Sequence, residues 1–450
     1  MKIVLPARRV GPQDCFIRRS LITNASIQQP HIIAARGLPA LAGRGIAACL
    51  LFGYTGYEPS VTGFAIVTGG EAGNGRISLR KTFKYRLYPT RLQGLALEGQ
   101  LTEACVLYNA AVQERRDAWR MGQVSLNYYH QANQIREIRA AGDLDLANYS
   151  ACQDVLRRVD KTFQAFFRRV RVGQKPGFPR FKSRRRFDSY TFPAYGDGCK
   201  LRQNGKLYIQ SVGVLKVKLH RAVEGQIKTV TLKRECGRWY ACFSAEAAIP
   251  EPLPHTGEAA GIDVGLENFA VLSNGTVIEN PRHYRKAQAV LRRSQRKIAR
   301  RKKGSGRRRK AVQSLQRVHQ HIKNQRSDFH HQVSRKLVNT FDLIAVEDLN
   351  IKGLAGGMLA KSVHDAGWGG FLAKLDYKAE SAGRRLVRVN PNGTSQRCPC
   401  GARVPKKLWN RWHRCLACGL SVSRDHASAM EILRLGLSLQ ALTPPVDGVA

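Results

Sequence analysis

Apolar residues recur at three- and four-residue steps between residues 91 and 172, the spacing of one buried helix face. Three helices are predicted, over about 91–121, 124–142 and 146–172. Thr90 stands directly before the first helix and can cap it. The third helix carries its recurring positions at Val155, Val159, Thr162, Phe163, Phe166 and Phe167.

Alternation of apolar with polar or basic residues precedes and follows these helices. Residues 80–88 alternate in this way, as a half-buried strand facing phosphate groups would. Prolines after residue 249 mark a linker. Between the helices and this linker, strands that suit a small β-barrel are predicted at 207–209, 215–219, 227–233 and 239–245.

Two later apolar runs each end in an acidic residue. Residues 260–265 predict a buried strand that carries Asp263 and leads into a second strand at 268–272. Residues 343–349 repeat the arrangement with Glu347 and Asp348, which alternation places on opposite faces. An acid in a buried strand is unfavourable unless something pairs with it.

A third acid, Asp425, precedes a run of small residues that would let a helix start pack tightly against a sheet. Carboxylate oxygens are hard ligands that select Mg²⁺ or Mn²⁺. Two such ions roughly 3.5–4 Å apart can activate water and stabilise the leaving oxygen of a phosphodiester. Asp263, Glu347 and Asp425 are therefore the candidate magnesium ligands and catalytic residues.

The charge balance indicates a polyanionic partner. The 450 residues hold 75 Lys and Arg against 32 Asp and Glu, a formal net charge of +43. Such an excess is stabilised beside nucleic acid, where each neutralised phosphate releases counterions. The length suggests two to four domains, and no apolar stretch is long enough to span a bilayer.

Basic residues cluster in two further regions of the chain. Aromatic residues interleave with them at 175–182, as in surfaces that stack bases, and two basic helices joined by a glycine turn are predicted within 280–331. Nuclear targeting is an alternative explanation of such runs. The candidate nucleic-acid contacts are Lys81, Lys84, Arg86, Arg157, Arg158, Lys161, Lys175, Arg180, Lys182, Arg292, Arg293, Arg300 and Arg301.

Four of the 11 cysteines form two close pairs, Cys398 with Cys400 and Cys415 with Cys418. This pattern predicts a structural zinc site with spare reduced thiols rather than a disulfide framework, and therefore a cytoplasmic or nucleoid location. The first pair is one residue shorter than the usual spacing, and His413 is an alternative ligand. Trp409 and Trp412 are expected to pack the core of this ribbon.

Residues 1–75 show no sustained helical or strand period. A signal peptide is a weak option because no clean apolar segment follows Arg8 and Arg9. We interpret this segment as a disordered extension or as translation begun upstream of the true start.

From about residue 76 to 437 the chain resembles the TnpB (OrfB) proteins of bacterial insertion sequences, which are similar to type V CRISPR effectors. The likeness lies in Lys81–Pro89, Gln153–Lys161, Gly177–Lys182, Gly261–Gly265, Val346–Leu354, Asp365–Trp368, Thr394–Gln396, the cysteines and Arg424–Asp425. Ser423 and Ala427 depart from the frequent family residues, an acid and Asn, and neither departure removes a catalytic carboxylate.

The resemblance implies a multidomain α/β protein with an RNase H-like RuvC nuclease core, an inserted zinc ribbon, a wedge-type β-barrel and a helical recognition lobe. The implied ranges are 76–90 and 183–255 for the barrel, 91–182 for the lobe, 256–393 and 420–440 for the nuclease, 394–419 for the ribbon, and 441–450 for a tail.

The resemblance further implies a guide RNA made from the transposon end and a double-stranded DNA target whose sequence is read by base pairing. On this basis Asp263, Glu347 and Asp425 are the catalytic acids and Asp348 is a neighbour. Two alternatives stay open, a nuclease-inactive RNA-guided repressor and an accessory protein of DNA transposition. A repressor should have lost at least one acid, and no His-hydrophobe-His motif of single-strand transposases is found.

Overall fold

The computed structural model describes residues 78–407 and 409–442, so the predicted extension over 1–75 lies outside the described residues. Within the described part, two β-sheets are accompanied by ten helices and a small two-stranded ribbon. No helix there combines the length and apolar character needed to cross a membrane.

The predicted helical region folds into four helices that share a core with the first sheet. Thr90 caps the first helix as predicted, because its hydroxyl accepts the Gln93 backbone N–H at 3.3 Å. The predicted helix over 124–142 is instead two short helices. The helices are α1 (Arg91–Gly122), α2 (Tyr128–Ala132), α3 (Ile135–Ala140) and α4 (Tyr149–Arg171).

Seven antiparallel strands form the first sheet, in the order β2-β6-β7-β1-β5-β4-β3. The strands are β1 (Ser78–Tyr88), β2 (Ser189–Phe192), β3 (Cys199–Leu201), β4 (Lys206–Ile209), β5 (Gly213–Lys218), β6 (Gln226–Glu235) and β7 (Arg238–Ala248).

This sheet must curl toward closure because β2 and β3, its two edge strands, are consecutive in the chain. In a flat sheet the edges of seven strands would lie roughly 29 Å apart. The chain from Phe192 to Cys199 spans at most about 25 Å. The nearly closed sheet is therefore consistent with the predicted barrel.

The second sheet has five strands in the order β10-β9-β8-β11-β12. Its first three strands are antiparallel, and β8, β11 and β12 run parallel to one another. The strands are β8 (Ala259–Val264), β9 (Asn268–Leu272), β10 (Val277–Glu279), β11 (Leu343–Glu347) and β12 (Arg385–Val389).

Six helices accompany this second sheet along the chain, and the two predicted basic helices are α5 and α6, separated by a turn with Gly304 at a φ of +84°. Asp365, from the segment noted for its family likeness, accepts the backbone N–H groups of Tyr284 at 2.7 Å and Arg285 at 3.1 Å and so caps α5. The helices are α5 (His283–Ala299), α6 (Gly306–Thr340), α7 (Ile351–Leu354), α8 (Ala360–Ala366), α9 (Trp368–Ser381) and α10 (Arg424–Leu442).

The last helix, α10, lies directly against β8 and β11. A Cβ atom added at Gly261 would stand 2.1 Å from the Ala429 carbonyl oxygen, and one at Gly436 would stand 2.5 Å from Ala345 Cβ. Both glycines are therefore required by close packing rather than by an unusual φ.

Residues 394–423, called the ribbon below, connect β12 to α10. They contain a short 3-10 turn at Thr394–Gln396 and the antiparallel strands β13 (Trp412–Arg414) and β14 (Ser421–Ser423). The first sheet meets α6 at Glu235, whose carboxylate accepts Lys84 Nζ at 2.5 Å and Gln320 Nε2 at 3.0 Å.

Candidate active site and metal centre

Asp263 and Glu347 lie side by side at the carboxyl ends of two parallel strands. Val346 of β11 is opposite Ile262 of β8, so the next residue on each strand is an acid. Asp263 and Glu347 are half-buried while Asp348 is exposed, as expected if strand alternation separates Glu347 from Asp348.

Asp425 approaches these two acids from the first turn of α10. The close packing at Gly261 presses this helix against the strand that carries Asp263. His426 fixes the helix start, since its Nε2 lies 3.0 Å from the Ser273 carbonyl oxygen at the end of β9. Asp263, Glu347 and Asp425 are called the acid cluster below.

The carboxylates of Glu347 and Asp425 interact electrostatically with that of Asp263. The pKa of Asp263 lies well above its ordinary value, first because of burial and then because of the charges on Glu347 and Asp425, while Arg424 opposes the rise. Burial also raises the pKa of Glu347, against the effect of a hydrogen bond from Thr394 Oγ1 at 2.5 Å. The protein itself leaves this negative charge incompletely compensated.

Such an arrangement can hold divalent cations. Carboxylate oxygens are the preferred ligands of Mg²⁺ and Mn²⁺, and bound cations would relieve the mutual repulsion. Among residues 78–407 and 409–442, the oxygens of the three acids do not all lie within 4.8 Å of one another.

Thr394 is a site residue whose role the sequence did not reveal. Its side chain is buried, and its hydroxyl contacts both Glu347 and the Pro391 carbonyl oxygen, at 2.5 and 3.1 Å. The segment Thr394–Gln396 was noted for its family likeness, but a contact across 47 positions of the chain has no local signal.

The four predicted cysteines converge. Their sulfur atoms all lie within 4.8 Å of one another, with 3.5 Å between Cys398 and Cys418 and 3.7 Å between Cys400 and Cys415. Four thiolates placed tetrahedrally about 2.3 Å from zinc would stand about 3.8 Å apart. The donor set therefore fits a tetrahedral metal ion, and the short first pair does not prevent it.

His413 does not join this cluster. It is buried, and its Nδ1 contacts Lys406 Nζ. Among the described residues, the group of possible metal ligands consists of the four cysteines and does not include His413.

The prediction that Trp409 and Trp412 pack the ribbon core is wrong. Trp409 is 72% exposed and Trp412 is 55% exposed. The four clustered cysteines occupy the centre of this short ribbon and leave little room for an aromatic core. Along β13 the side chains alternate, so that His413 is buried and Trp412 is exposed.

The candidate nucleic-acid contacts divide into two groups. Some stabilise the protein itself: Lys81 pairs with Glu224 at 3.1 Å, Lys84 pairs with Glu235, and Arg158 binds Asp154 at 2.9 Å and the Ser189 carbonyl at 2.8 Å. Lys182 Nζ lies 4.5 Å from the Tyr108 ring centroid, Arg86 lies over Tyr88, and Arg301 is half-buried. Lys84 and Lys182 are nevertheless exposed. Among the remaining candidates, Arg157 lies over the Tyr128 ring. These remaining candidates are exposed as well: Arg157, Lys161, Lys175, Arg180, Arg292, Arg293 and Arg300.

Comparison with known proteins identifies relatives that cover most of the chain. Residues 240–357 match the OrfB_IS605 family, described as "Probable transposase", residues 368–432 match the Cas12f1-like TNB domain, and residues 79–123 match a family described as a helix-turn-helix domain. A Streptomyces pristinaespiralis protein is 33% identical over 375 residues, which cover 81% of this chain and 91% of the relative. The chain belongs to the TnpB (OrfB) family.

A second relative and a solved structure are also similar to this chain. An Escherichia coli K12 protein, InsQ, is 29% identical over 384 residues, which cover 80% of this chain and 93% of the relative. Both relatives are named "Putative RNA-guided DNA endonuclease". The Cas12f1 chain of a Cas12f1–sgRNA–target DNA complex shares the fold, with a TM-score of 0.51 at 14% identity, over 79% of this chain and 98% of that one.

The candidate site residues lie within these matched ranges. Asp263 and Glu347 fall inside the first matched range, and the four cysteines and Asp425 fall inside the second. The range described as helix-turn-helix folds here as strand β1 followed by the 32-residue helix α1.

Proposed function

We propose that this TnpB-family protein is an RNA-guided endonuclease that hydrolyses phosphodiester bonds of double-stranded target DNA. The observation that carries the proposal is the acid cluster, in which burial and then the carboxylates of Glu347 and Asp425 raise the pKa of Asp263 inside a chain of net charge +43. Relatives covered over nine-tenths of their length bear names of the same activity.

The acid cluster is assigned to a RuvC-type site in an RNase H-like core. Support comes from the second sheet, in which three antiparallel strands are followed by two parallel ones. Asp263, Glu347 and Asp425 would hold two Mg²⁺ or Mn²⁺ ions, which activate water and stabilise the leaving oxygen when bound. Thr394 orients Glu347 by its hydrogen bond. The close packing of α10 on Gly261 fixes how near Asp425 lies to the strand that carries Asp263.

The four cysteines are assigned to a structural zinc ion. Four thiolates complete a tetrahedral shell and leave no open position for substrate. The ribbon, which contains β14, would then hold the start of α10 in place beside the acid cluster.

A guide RNA from the transposon end and the target DNA are the proposed partners. The first sheet would be the wedge barrel, and α1–α4 the recognition lobe. The cations exposed on α5, together with those of the lobe, supply phosphate contacts, and the protein would act in the cytoplasm at the nucleoid.

A direct test is to purify the protein with its co-expressed RNA and to supply Mg²⁺ and a duplex matched to the guide. We expect cleavage by the wild type and none by Asp263→Ala. Cleavage that survives Asp263→Ala would refute the site assignment. Failure of the wild type with a correct guide would favour the repressor alternative.

A further inference from the structure

The four cysteines of the ribbon form two close pairs of sulfur atoms, and each pair is unequal in exposure. Cys398 and Cys415 are buried, whereas Cys400 and Cys418 are exposed. The sulfurs of Cys398 and Cys418 lie 3.5 Å apart, and those of Cys400 and Cys415 lie 3.7 Å apart. Each pair therefore joins an exposed cysteine to a buried one, and each pair links the first half of the ribbon to the second.

This arrangement suits oxidation as well as metal binding. A cysteine that binds a metal ion is a thiolate, and the thiolate is the form that attacks a peroxide. The sulfurs of a disulfide lie about 2.05 Å apart, so each pair would close by roughly 1.5 Å. Disulfide sulfurs are no longer thiolate ligands, so oxidation and zinc binding exclude each other.

The other cysteines of the described region are less accessible. Cys105, Cys152 and Cys199 are buried, while Cys236 and Cys242 are half-buried. Burial raises the pKa of the Cys199 thiol to about 12, so that it stays protonated and reacts slowly. Among residues 78–407 and 409–442, the exposed cysteines are therefore the two in the ribbon.

Both ends of the ribbon lie beside the acid cluster. Thr394, the first residue of the ribbon, donates a hydrogen bond to Glu347 at 2.5 Å. Ser423, the last residue, directly precedes α10, whose first turn carries Asp425. The Arg424 N–H donates to the Arg411 carbonyl at 2.9 Å and so ties the start of this helix back to the ribbon. A change in the fold of the ribbon therefore reaches two of the three acids.

We propose that the ribbon is a redox switch in which a peroxide oxidises Cys418 with Cys398, and Cys400 with Cys415, to two disulfides that no longer bind zinc. The proposal rests on the structural zinc ion proposed above, and its effect on cleavage rests on the proposed nuclease function. Because metal binding and folding are coupled in such small sites, losing the metal loosens the Thr394 contact and the start of α10. Reduction followed by zinc restores both.

Each disulfide forms in two steps that consume one peroxide. The exposed thiolate attacks one peroxide oxygen, the O–O bond breaks, and a sulfenic acid and a hydroxide ion form. The buried thiolate then attacks the sulfenic sulfur and displaces a second hydroxide ion. The two sulfurs lose two electrons, the two peroxide oxygens gain them, and two protons from solvent convert the hydroxide ions to water.

The test follows zinc and sulfur rather than cleavage. The full-length protein with its co-purified RNA is titrated with hydrogen peroxide, a chromogenic chelator reports the zinc released, and mass spectrometry of unreduced peptides maps the disulfides. We expect about one zinc ion released for about two peroxides consumed, with disulfides 398–418 and 400–415. Dithiothreitol followed by zinc should restore the bound metal. Zinc retained in an approximately tenfold excess of peroxide, or lost with sulfinic acids in place of disulfides, would overturn the proposal.

Cys236 supplies the matched control, since it is a half-buried thiol in the turn between β6 and β7, outside the ribbon. Cys236→Ser should release zinc at the same peroxide dose as the wild type, within about twofold. Cys418→His keeps a donor that zinc accepts but leaves one disulfide to form, so it should consume about half the peroxide. Loss of zinc release in Cys236→Ser, or full consumption by Cys418→His, would place the reactive thiols elsewhere and refute the assignment.

A second arm asks whether oxidation reaches the acid cluster. Hydrogen–deuterium exchange should become at least about tenfold faster in residues 424–430 after oxidation and stay unchanged in α4. Zinc loss with unchanged exchange at the start of α10 would refute the switch. A protein that cleaves matched DNA but holds no zinc would sink the switch and leave the nuclease proposal standing. The expected zinc release and exchange without cleavage in any state would do the reverse.

Discussion

The two ends of strand β11 hold carboxylates in opposite states. Asp342, just before the strand, accepts backbone N–H groups from Thr256 at 2.9 Å and Gly257 at 2.8 Å and pairs with the Arg384 guanidinium. Partial burial pulls its pKa upward, but these partners outweigh burial and lower the pKa to about 2.

Glu347, the last residue of the same strand, receives a hydrogen bond from Thr394 and lies beside Asp263. Its pKa is raised by burial in spite of that bond. The contrast separates an acid that the protein neutralises for its own stability from acids that, under the proposed function, bind an external cation. The first kind should matter for folding and the second for chemistry.

The largest expected effect is on cleavage. Glu347→Gln should lower the rate of guided DNA cleavage at least about 100-fold, because it removes a charge from the proposed metal site. Asp348→Asn makes the same kind of change one residue later, at an exposed position, and should stay within about threefold. Rates of nick formation under single-turnover conditions measure both, and equal losses would contradict the assignment of Glu347.

The reverse is expected for stability. Asp342→Asn leaves the buried guanidinium of Arg384 without its charged partner and should lower Tm by roughly 5–10 °C. Glu347→Gln should leave Tm unchanged or raise it, because a mutual repulsion is removed. Differential scanning calorimetry of the two variants compares them, and a larger Tm loss in Glu347→Gln would break the distinction.

Local pattern was enough to predict many elements of the fold. The helical period located α1 and α4, Thr90 marked the start of α1, and the basic runs located α5 and α6. The stretch 124–142 failed because Asn127 caps a new helix at Tyr128, its side chain accepting the His130 N–H at 3.1 Å. Such capping competes with a continuous helix through side-chain bonds that periodicity does not record.

At the site, the sequence indicated which residue types stand at the ends of apolar strands, and the structure brings Asp263 beside Glu347. It did not indicate Thr394 beneath Glu347, or Arg384 beneath Asp342, since both contacts join distant parts of the chain. The prediction for the two tryptophans was wrong because it assumed the usual burial of tryptophan. In this ribbon the clustered cysteines, and not aromatic side chains, form the centre.

The smallest expected effect, and the sharpest comparison, is the pH dependence of stability. The pKa of Asp342 is lowered, so its contribution is fully present above the ordinary value of 3.8 and is lost as pH falls toward about 2. The pKa of Asp263 is raised, so the metal-free folded state binds this proton more tightly than the unfolded chain. That contribution is lost as pH rises from 3.8 through the raised value.

The two asparagine variants should therefore flatten opposite sides of the pH profile. Relative to wild type, Asp342→Asn should lose most at neutral pH and least in acid, while Asp263→Asn should gain at neutral pH and gain nothing in acid. Tm measured from pH 3 to pH 8 without added Mg²⁺ or Mn²⁺ tests both. Adding Mg²⁺ should raise the Tm of the wild type more than that of Asp263→Asn, because the cation relieves the repulsion that the substitution has already removed. Parallel wild-type and Asp263→Asn profiles would mean that the acid cluster is as well neutralised by the protein as Asp342 is.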